Sequence, residues 1–267
     1  MASSDDIRKR SQQQVEVPFR RSIDGERLIA VFSELVEPIG RSLPSSSEVV
    51  LHDLSLLPNS IIAIYGDVTG RRIGDPATDL LLEAVREGST TSMTGYETIL
   101  PDGRRLRSST MIIKDVSGLP VAALCINSDL SAWISIQRVV DMMLSGTQPL
   151  AEDDDAKTLT PVEQPAHSPE PTEVFARDVD ELAAHLIHRA IGDVGIPVEL
   201  MQKRHKIEVV RDLKARGMFM LRDAVDMIAS SLNVTRFTIY NYLNELSDSE
   251  ATTDDAAVAP ETQKEHT

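Results

Sequence analysis

Residues Leu221 to Leu246 read LRDAVDMIASSLNVTRFTIYNYLNEL, two short amphipathic runs on either side of a Leu-Asn-Val-Thr turn. A helix-turn-helix needs a small residue where the second helix crosses the first. It also needs a turn residue that tolerates positive φ, and apolar anchors on the inner side of the second helix. Ala229 supplies the small residue and Leu232 an apolar plug before the turn. Asn233 stands where a left-handed residue is required, and asparagine tolerates that conformation better than other residues except glycine. Val234 follows as a buried position, Thr235 is placed to cap the second helix, and Ile239 with Tyr242 or Leu243 returns to the core.

That register puts Thr235, Arg236, Phe237, Tyr240, Asn241 and Asn244 on the outer face. Arginine reads guanine and asparagine reads adenine through paired hydrogen bonds in the major groove. Thr235 and Thr238 suit phosphate oxygens. The plainer alternative is an ordinary helical hairpin in which Thr235 is only a cap and Tyr240 only packs. Upstream, Met201, Ile207, Val210 and Leu213 recur at three- and four-residue spacing, which predicts another helix ending at Gly217. Its surface carries Lys203, Arg204, Lys206, Arg211, Lys214 and Arg216, with Lys203, Arg204 and Lys206 as candidate DNA contacts. A solvated helix face is the competing explanation of that basic run.

The chain has 267 residues and a formal net charge of −15. Such a balance argues against nucleic acid until its distribution is considered. Acidic residues concentrate in Glu152–Asp155, in 178–181 and after Asp248, leaving the basic segment distinct. Charges beyond a Debye length of about 8–10 Å are screened, so a local surface outweighs the total. The single cysteine, Cys125, excludes an internal disulfide and a multi-cysteine metal site. No stretch nears the ~20 apolar residues that span a bilayer, and Met1 to Arg21 is polar and lacks the features of a secretory signal. A cytoplasmic protein with no membrane partner is the expectation.

Between residues 26 and 145 the periodicity switches from helix to strand and back. Helices are predicted over 27–39, 78–87 and 130–144, and strands over 48–53, 60–65, 93–100, 105–114 and 120–126. Pro38 and Gly40 are read as ending the first helix, and Trp133, Ile136, Val139, Val140 and Met143 as one face of the last. The pattern predicts an α+β unit, an antiparallel sheet with helices to one side. Five prolines, at 149, 161, 165, 169 and 171, mark 146–172 as an extended acidic linker that holds two units apart. The expected organisation is a disordered arm over 1–25, a sensor unit over 26–145, the linker, a helical unit over 173–246 opening with a helix from Glu173 to Asp193, and a disordered acidic tail over 247–267.

Several motifs carry a resemblance. Leu51-His52-Asp53-Leu54, the run from Val68 through Gly70-Arg71-Arg72-Ile73-Gly74-Asp75-Pro76 to Leu80, Asp102 to Thr110, and Leu124 to Asp129 are similar to the YheO-like PAS domain. Arg216-Gly217-Met218-Phe219 and Thr238 to Leu243 resemble the DauR-type helix-turn-helix that accompanies it. The resemblance covers most of Leu28 to Leu246 outside the linker. It implies a bacterial transcriptional regulator with a PAS-like sensor, binding double-stranded DNA and controlling a metabolic operon, with amino-acid utilisation among the family's roles. A homodimer or higher homo-oligomer would let two such units engage two half-sites.

His52, Asp53, Tyr96, Ser109, Cys125 and Asn127 lie on or beside the predicted strands and are the candidate ligand-binding residues. For His52 and Asp53 the competing reading is a pair that holds a loop, and for Cys125 a small buried hydrophobe. No motif asks for a cofactor. Gly66 to Gly74 departs from the phosphate-binding patterns, and His185 and His188 lack a third metal ligand. No catalytic residue is assigned; an enzyme using His52 and Asp53, or an interaction module without specific DNA binding, are the alternative functions.

Overall fold

The computed structural model describes residues 22–88, 91–145 and 173–255, with side chains as far as 248. The predicted arm through residue 21, the linker over 146–172 and the tail from 256 lie outside these residues. The first unit runs α1 (Ile23–Ser42), β1 (Ser47–Asp53), β2 (Ile61–Tyr65), α2 (Asp79–Arg86), β3 (Met93–Ile99), β4 (Arg105–Lys114), β5 (Pro120–Asp129) and α3 (Ser131–Ser145). The second comprises α4 (Val179–Val194), α5 (Lys203–Ala215), α6 (Ala224–Ser231) and α7 (Arg236–Asp255).

α1 begins earlier than the sequence suggests, because Ser22 caps it by accepting from the Gly25 amide at 3.0 Å. It also continues past both residues read as its stop. Pro38 sits inside the helix, which runs on to Ser42. Gly40 serves close packing: a Cβ there would lie 2.1 Å from Tyr65 Cδ1, so the helix backbone is pressed onto β2. At the other end of the described chain α7 extends to Asp255, into the predicted tail.

The five strands form one antiparallel sheet in the order β2-β1-β5-β4-β3. Side chains alternate across a strand, so each register assigns two faces. Val49 and Leu51 stand opposite Ile126 and Leu124, and with Ala122 they pack on Val36, Phe32 and Ile39 of α1. The opposite face carries Glu48, Val50 and His52 beside Asn127, Cys125 and Ala123, then Ser108 and Thr110, then Tyr96 and Thr98. β1 is buried along its whole length because both faces are covered. α1 covers the first face, and Ala123 and Ile112 of the second belong to a core shared with α2 and the helical unit.

Covering the second face also joins the two units. One hydrophobic core contains Leu54, Leu57, Leu81, Leu82, Val85 and Ala123 of the first unit together with Leu182, Leu186, Val210, Leu213, Met218, Ile228, Leu232 and Ile239 of the second. Polar contacts follow the same seam. Arg86 Nη1 donates to the Ala215 carbonyl at 3.2 Å, and Asp79 accepts from the Val174 amide at 2.8 Å and faces Arg189 Nη1 at 3.4 Å. The proline-rich linker predicts separated units. The helical unit instead completes its core against α2, as a domain too small to bury much surface alone requires.

The helix predicted from Glu173 starts only at Val179. Asp178, in an extended conformation, accepts from the Glu181 amide at 2.7 Å and fixes the start, while Gly195 at φ +68° ends the helix. This frees 173–177 to run as an extended segment across the first unit, where Phe175 packs with Val68, Leu100 and Leu106.

Candidate nucleic-acid interface and buried sensor cluster

The helix-turn-helix is built as its spacing requires. Leu232 closes α6, Asn233 takes φ +50°, and the Val234 amide bonds back to the Ala229 carbonyl at 2.9 Å. Ala229 is buried at the crossing, and Ile239, Tyr242 and Leu246 anchor α7 inward. Thr235 caps α7: its Oγ1 accepts from the Thr238 amide at 3.2 Å and lies 2.9 Å from Thr238 Oγ1. The opposite side of α7 is open. Arg236, Phe237, Tyr240, Asn241 and Asn244 are all exposed, Phe237 by 73% and Tyr240 by 50%. Exposed aromatics are flanked there by an arginine and two asparagines, all facing solvent.

The positive groups around this face differ in how free they are. Arg236 is paired with Asp226 of α6 across the turn. Lys203 pairs with Glu245 at 2.7 Å; both groups are exposed, and this contact raises the lysine's pKa above its ordinary value. Arg204 Nε lies 3.1 Å from His205 Nε2. Lys206 serves the fold directly: Nζ donates to the Leu232 carbonyl at 2.7 Å, tying α5 to the last turn of α6. Exposed ion pairs of this kind contribute about 0–1 kcal/mol, so phosphates compete with them readily.

On the sensor sheet the six candidate residues separate by strand parity. Asp53 turns toward the chain that follows, where its Oδ1 accepts from the Ser55 amide at 2.9 Å and its hydroxyl at 2.7 Å. Ser109 faces the α1 side and accepts from the Gly95 amide at 3.0 Å, because it is one residue out of phase with Ser108 and Thr110. His52, Tyr96, Cys125 and Asn127 share the second face. His52 Nδ1 lies 2.9 Å from Ser60 Oγ, and its Nε2 is buried with no hydrogen-bond partner. Burial first, and the Arg71 charge second, push its pKa well below the ordinary imidazole value, so the ring is neutral.

Several residues that sequence reasoning passed over complete this face. Glu48 accepts from the Val68 and Thr69 amides at 3.0 Å each, from Thr69 Oγ1 at 2.8 Å and from Asn127 Nδ2 at 3.3 Å. Asn127 Oδ1 in turn accepts from Ser108 Oγ at 2.9 Å. Arg71 is buried beside them: Nε donates to Thr69 Oγ1 at 3.1 Å, and Nη2 stands 3.8 Å from Glu48. Its guanidinium lies 4.8 Å above the Phe175 ring centroid. Next to it, Tyr96 Oη is 3.0 Å from Thr110 Oγ1, which is 3.4 Å from Cys125 Sγ. Burial pushes the Cys125 thiol up to about 12 and the Tyr96 phenol upward as well, so both stay protonated.

Into this hydroxyl group reaches Glu173. Its carboxylate accepts from Tyr96 Oη at 3.0 Å, with Thr98 Oγ1 at 3.5 Å and a further bond to Thr78. Strand parity signals Ser108, Thr110 and Thr98 once the register is known. Arg71 lies in a loop, inside the Val68 to Leu80 motif but with no periodicity to give it a role, and Glu173 lies about a hundred positions beyond Thr78 with no local pattern to mark it.

A helix-turn-helix with an exposed polar second helix, sharing one core with a unit whose antiparallel sheet has a buried polar face, is the architecture of a two-part DNA-binding regulator. Comparison with known proteins gives the family. A YheO-like PAS domain matches residues 24–145 and a helix-turn-helix domain residues 182–244. The transcriptional regulator DauR of Pseudomonas aeruginosa is 30% identical over 204 residues, covering 76% of this chain and 86% of its own. YheO of Escherichia coli is 27% identical over 222 residues (82% and 84%), and an uncharacterized Haemophilus influenzae protein is 26% identical over 226 (84% and 93%). The chain belongs to the family of YheO-like PAS-domain transcriptional regulators that carry a C-terminal helix-turn-helix. Among the described residues no helix is long and apolar enough to cross a membrane, and no group of three potential metal ligands occurs.

Proposed function

We propose that this regulator is ligand-responsive, that α7 reads the major groove, and that it acts as a homodimer in the cytoplasm on a metabolic operon. The observation that carries the reading is the open face of α7. Arg236, Tyr240 and Asn241 follow the Asn233 turn and are exposed, with Arg236 in an exposed ion pair with Asp226. Arg236 and Asn241 supply base-edge contacts, while Thr235, Thr238, Phe237 and Asn244 flank them; Lys203 and Arg204 supply phosphate contacts. Lys206 contributes by holding the turn. The alternative, acid–base catalysis on the sensor sheet, has little support. The His52–Ser60 pair is fully buried, and Asp53 belongs to the opposite face.

Dimerisation is supported by α3. Trp133, Ile136, Val140 and Met143 form an i, i+3, i+7, i+10 stripe along the apolar side that the sequence predicts, and they are 60%, 55%, 46% and 80% exposed. A second copy presenting the same stripe would bury it, and the Ile136→Asp chain is then expected to sediment as a monomer where the parent is a dimer.

Mapping of genomic binding sites, followed by fluorescence anisotropy on a recovered site, tests DNA reading. Arg236→Ala and Asn241→Ala are each expected to cost about 1–3 kcal/mol of specific binding. Unchanged affinity in both variants refutes groove reading by α7.

A further inference from the structure

We infer that the polar face of the sensor sheet is a binding site for a small carboxylate bearing a flat apolar group, and that Glu173 and Phe175 of the DNA-binding unit occupy it as a built-in competitor. The inference rests on the ligand-responsive reading and specifies its site.

The carboxylate seat is visible through its occupant. Tyr96, Thr98 and Thr78 converge on the Glu173 carboxylate, and all of these groups come from the sensor unit. The seat for the flat group is the cationic guanidinium plane of Arg71, covered by the Phe175 ring at 4.8 Å. Both occupying residues lie beyond residue 172, on the side of the linker that carries the helix-turn-helix.

The segment fills this site imperfectly. Arg71 Nη1 and His52 Nε2 are fully buried with no hydrogen-bond partner in the protein. Both residues border the same face, and buried polar atoms are normally satisfied. Glu48 does not supply the missing acceptor, because it is bound by two amides, a hydroxyl and an amide side chain. The Glu173 carboxylate is itself strained by burial, which raises its pKa despite Arg71 and the hydroxyl donors. A free molecule with one carboxylate is not tied to the backbone at Val174 and can reach the Arg71 Nη1 donor.

Displacement would be felt at the DNA-binding unit. The Val174 amide is bonded to Asp79 at the start of α2, the helix that enters the core of the helical unit. Releasing 173–175 removes that bond and the Arg71–Phe175 contact together. A tethered competitor acts at a high effective concentration, so a free carboxylate binds the intact chain weakly and binds better when the competitor is removed.

The test is isothermal titration calorimetry on the full chain with 3-phenylpropionate and its uncharged analogue 3-phenylpropionamide. Glu173→Ala is expected to bind the carboxylate at least ten-fold more tightly than the parent, and the amide at least ten-fold more weakly than the carboxylate. Adding Arg71→Gln to Glu173→Ala should abolish the gain. Glu173→Ser is the second variant should the alanine chain fail to melt cooperatively. Equal carboxylate affinity in parent and variants, absence of heat in all of them, or indifference to the amide replacement overturns the site. Anisotropy on operator DNA is read separately. Intact DNA binding with failed titrations removes only this site, whereas carboxylate binding without DNA binding would remove the regulator reading instead.

Discussion

Leu82 tests whether the two units form one cooperative body. It sits on α2, fully buried, and the position of a Cβ on Gly217 would be 3.5 Å from Leu82 Cβ and 3.4 Å from its carbonyl oxygen. Leu82 thus belongs by sequence to the sensor and by packing to the helical unit. Leu82→Ala removes buried side-chain carbons from a core that relaxes only partly, which costs about 2–5 kcal/mol. For a described body of this size each kcal/mol lowers Tm by about 2–4 °C, so a fall on the order of 10 °C follows. Differential scanning calorimetry is the assay. The parent should melt in one transition that includes both units, and Leu82→Ala should lower it or split it, with the helical unit melting first. Two transitions in the parent, with only the sensor transition moved by the substitution, would refute the shared core.

Two other expectations concern single contacts. Glu173 has a raised pKa in the docked segment, chiefly through burial, with Arg71, Asp79, Tyr96 and Cys125 as the titratable or charged groups around it and Glu48 and His52 beside Arg71. Docking therefore takes up protons. It is most favourable below the ordinary carboxyl value of 4.5 and weakens as pH rises through the raised value. Hydrogen-exchange protection of the Val174 amide should fall with rising pH in the parent and stay flat in Glu173→Gln; identical profiles would dismiss the mechanism. Gly40→Ala places a Cβ 2.1 Å from Tyr65 Cδ1, and forcing that ring aside should cost about 1–3 kcal/mol in denaturant unfolding, with no loss meaning that α1 slides freely on β2.

Local chemistry made much of this protein legible from its sequence. Asn233 and the apolar spacing around it specify the helix-turn-helix, because a left-handed turn residue and a period of 3.6 are properties of a short segment. The strand periods likewise locate all five strands within a few residues. Strand parity then governs the sensor candidates: His52, Tyr96, Cys125 and Asn127 share one face, whereas Asp53 and Ser109 fall on the other once the register is known.

Tertiary structure alone decided what covers that face. The signals at Pro38 and Gly40 read locally as a helix stop, yet packing against Tyr65 keeps the helix going. The composition of 146–172 predicts distance between the units, but the apolar surface of α2 and the small helical unit bury each other regardless of how they are tethered. Phe175 and Arg71 meet through a contact that no window of sequence contains. A buried carboxylate gains its partners only after the sheet, its register and the docking of the second unit are all in place.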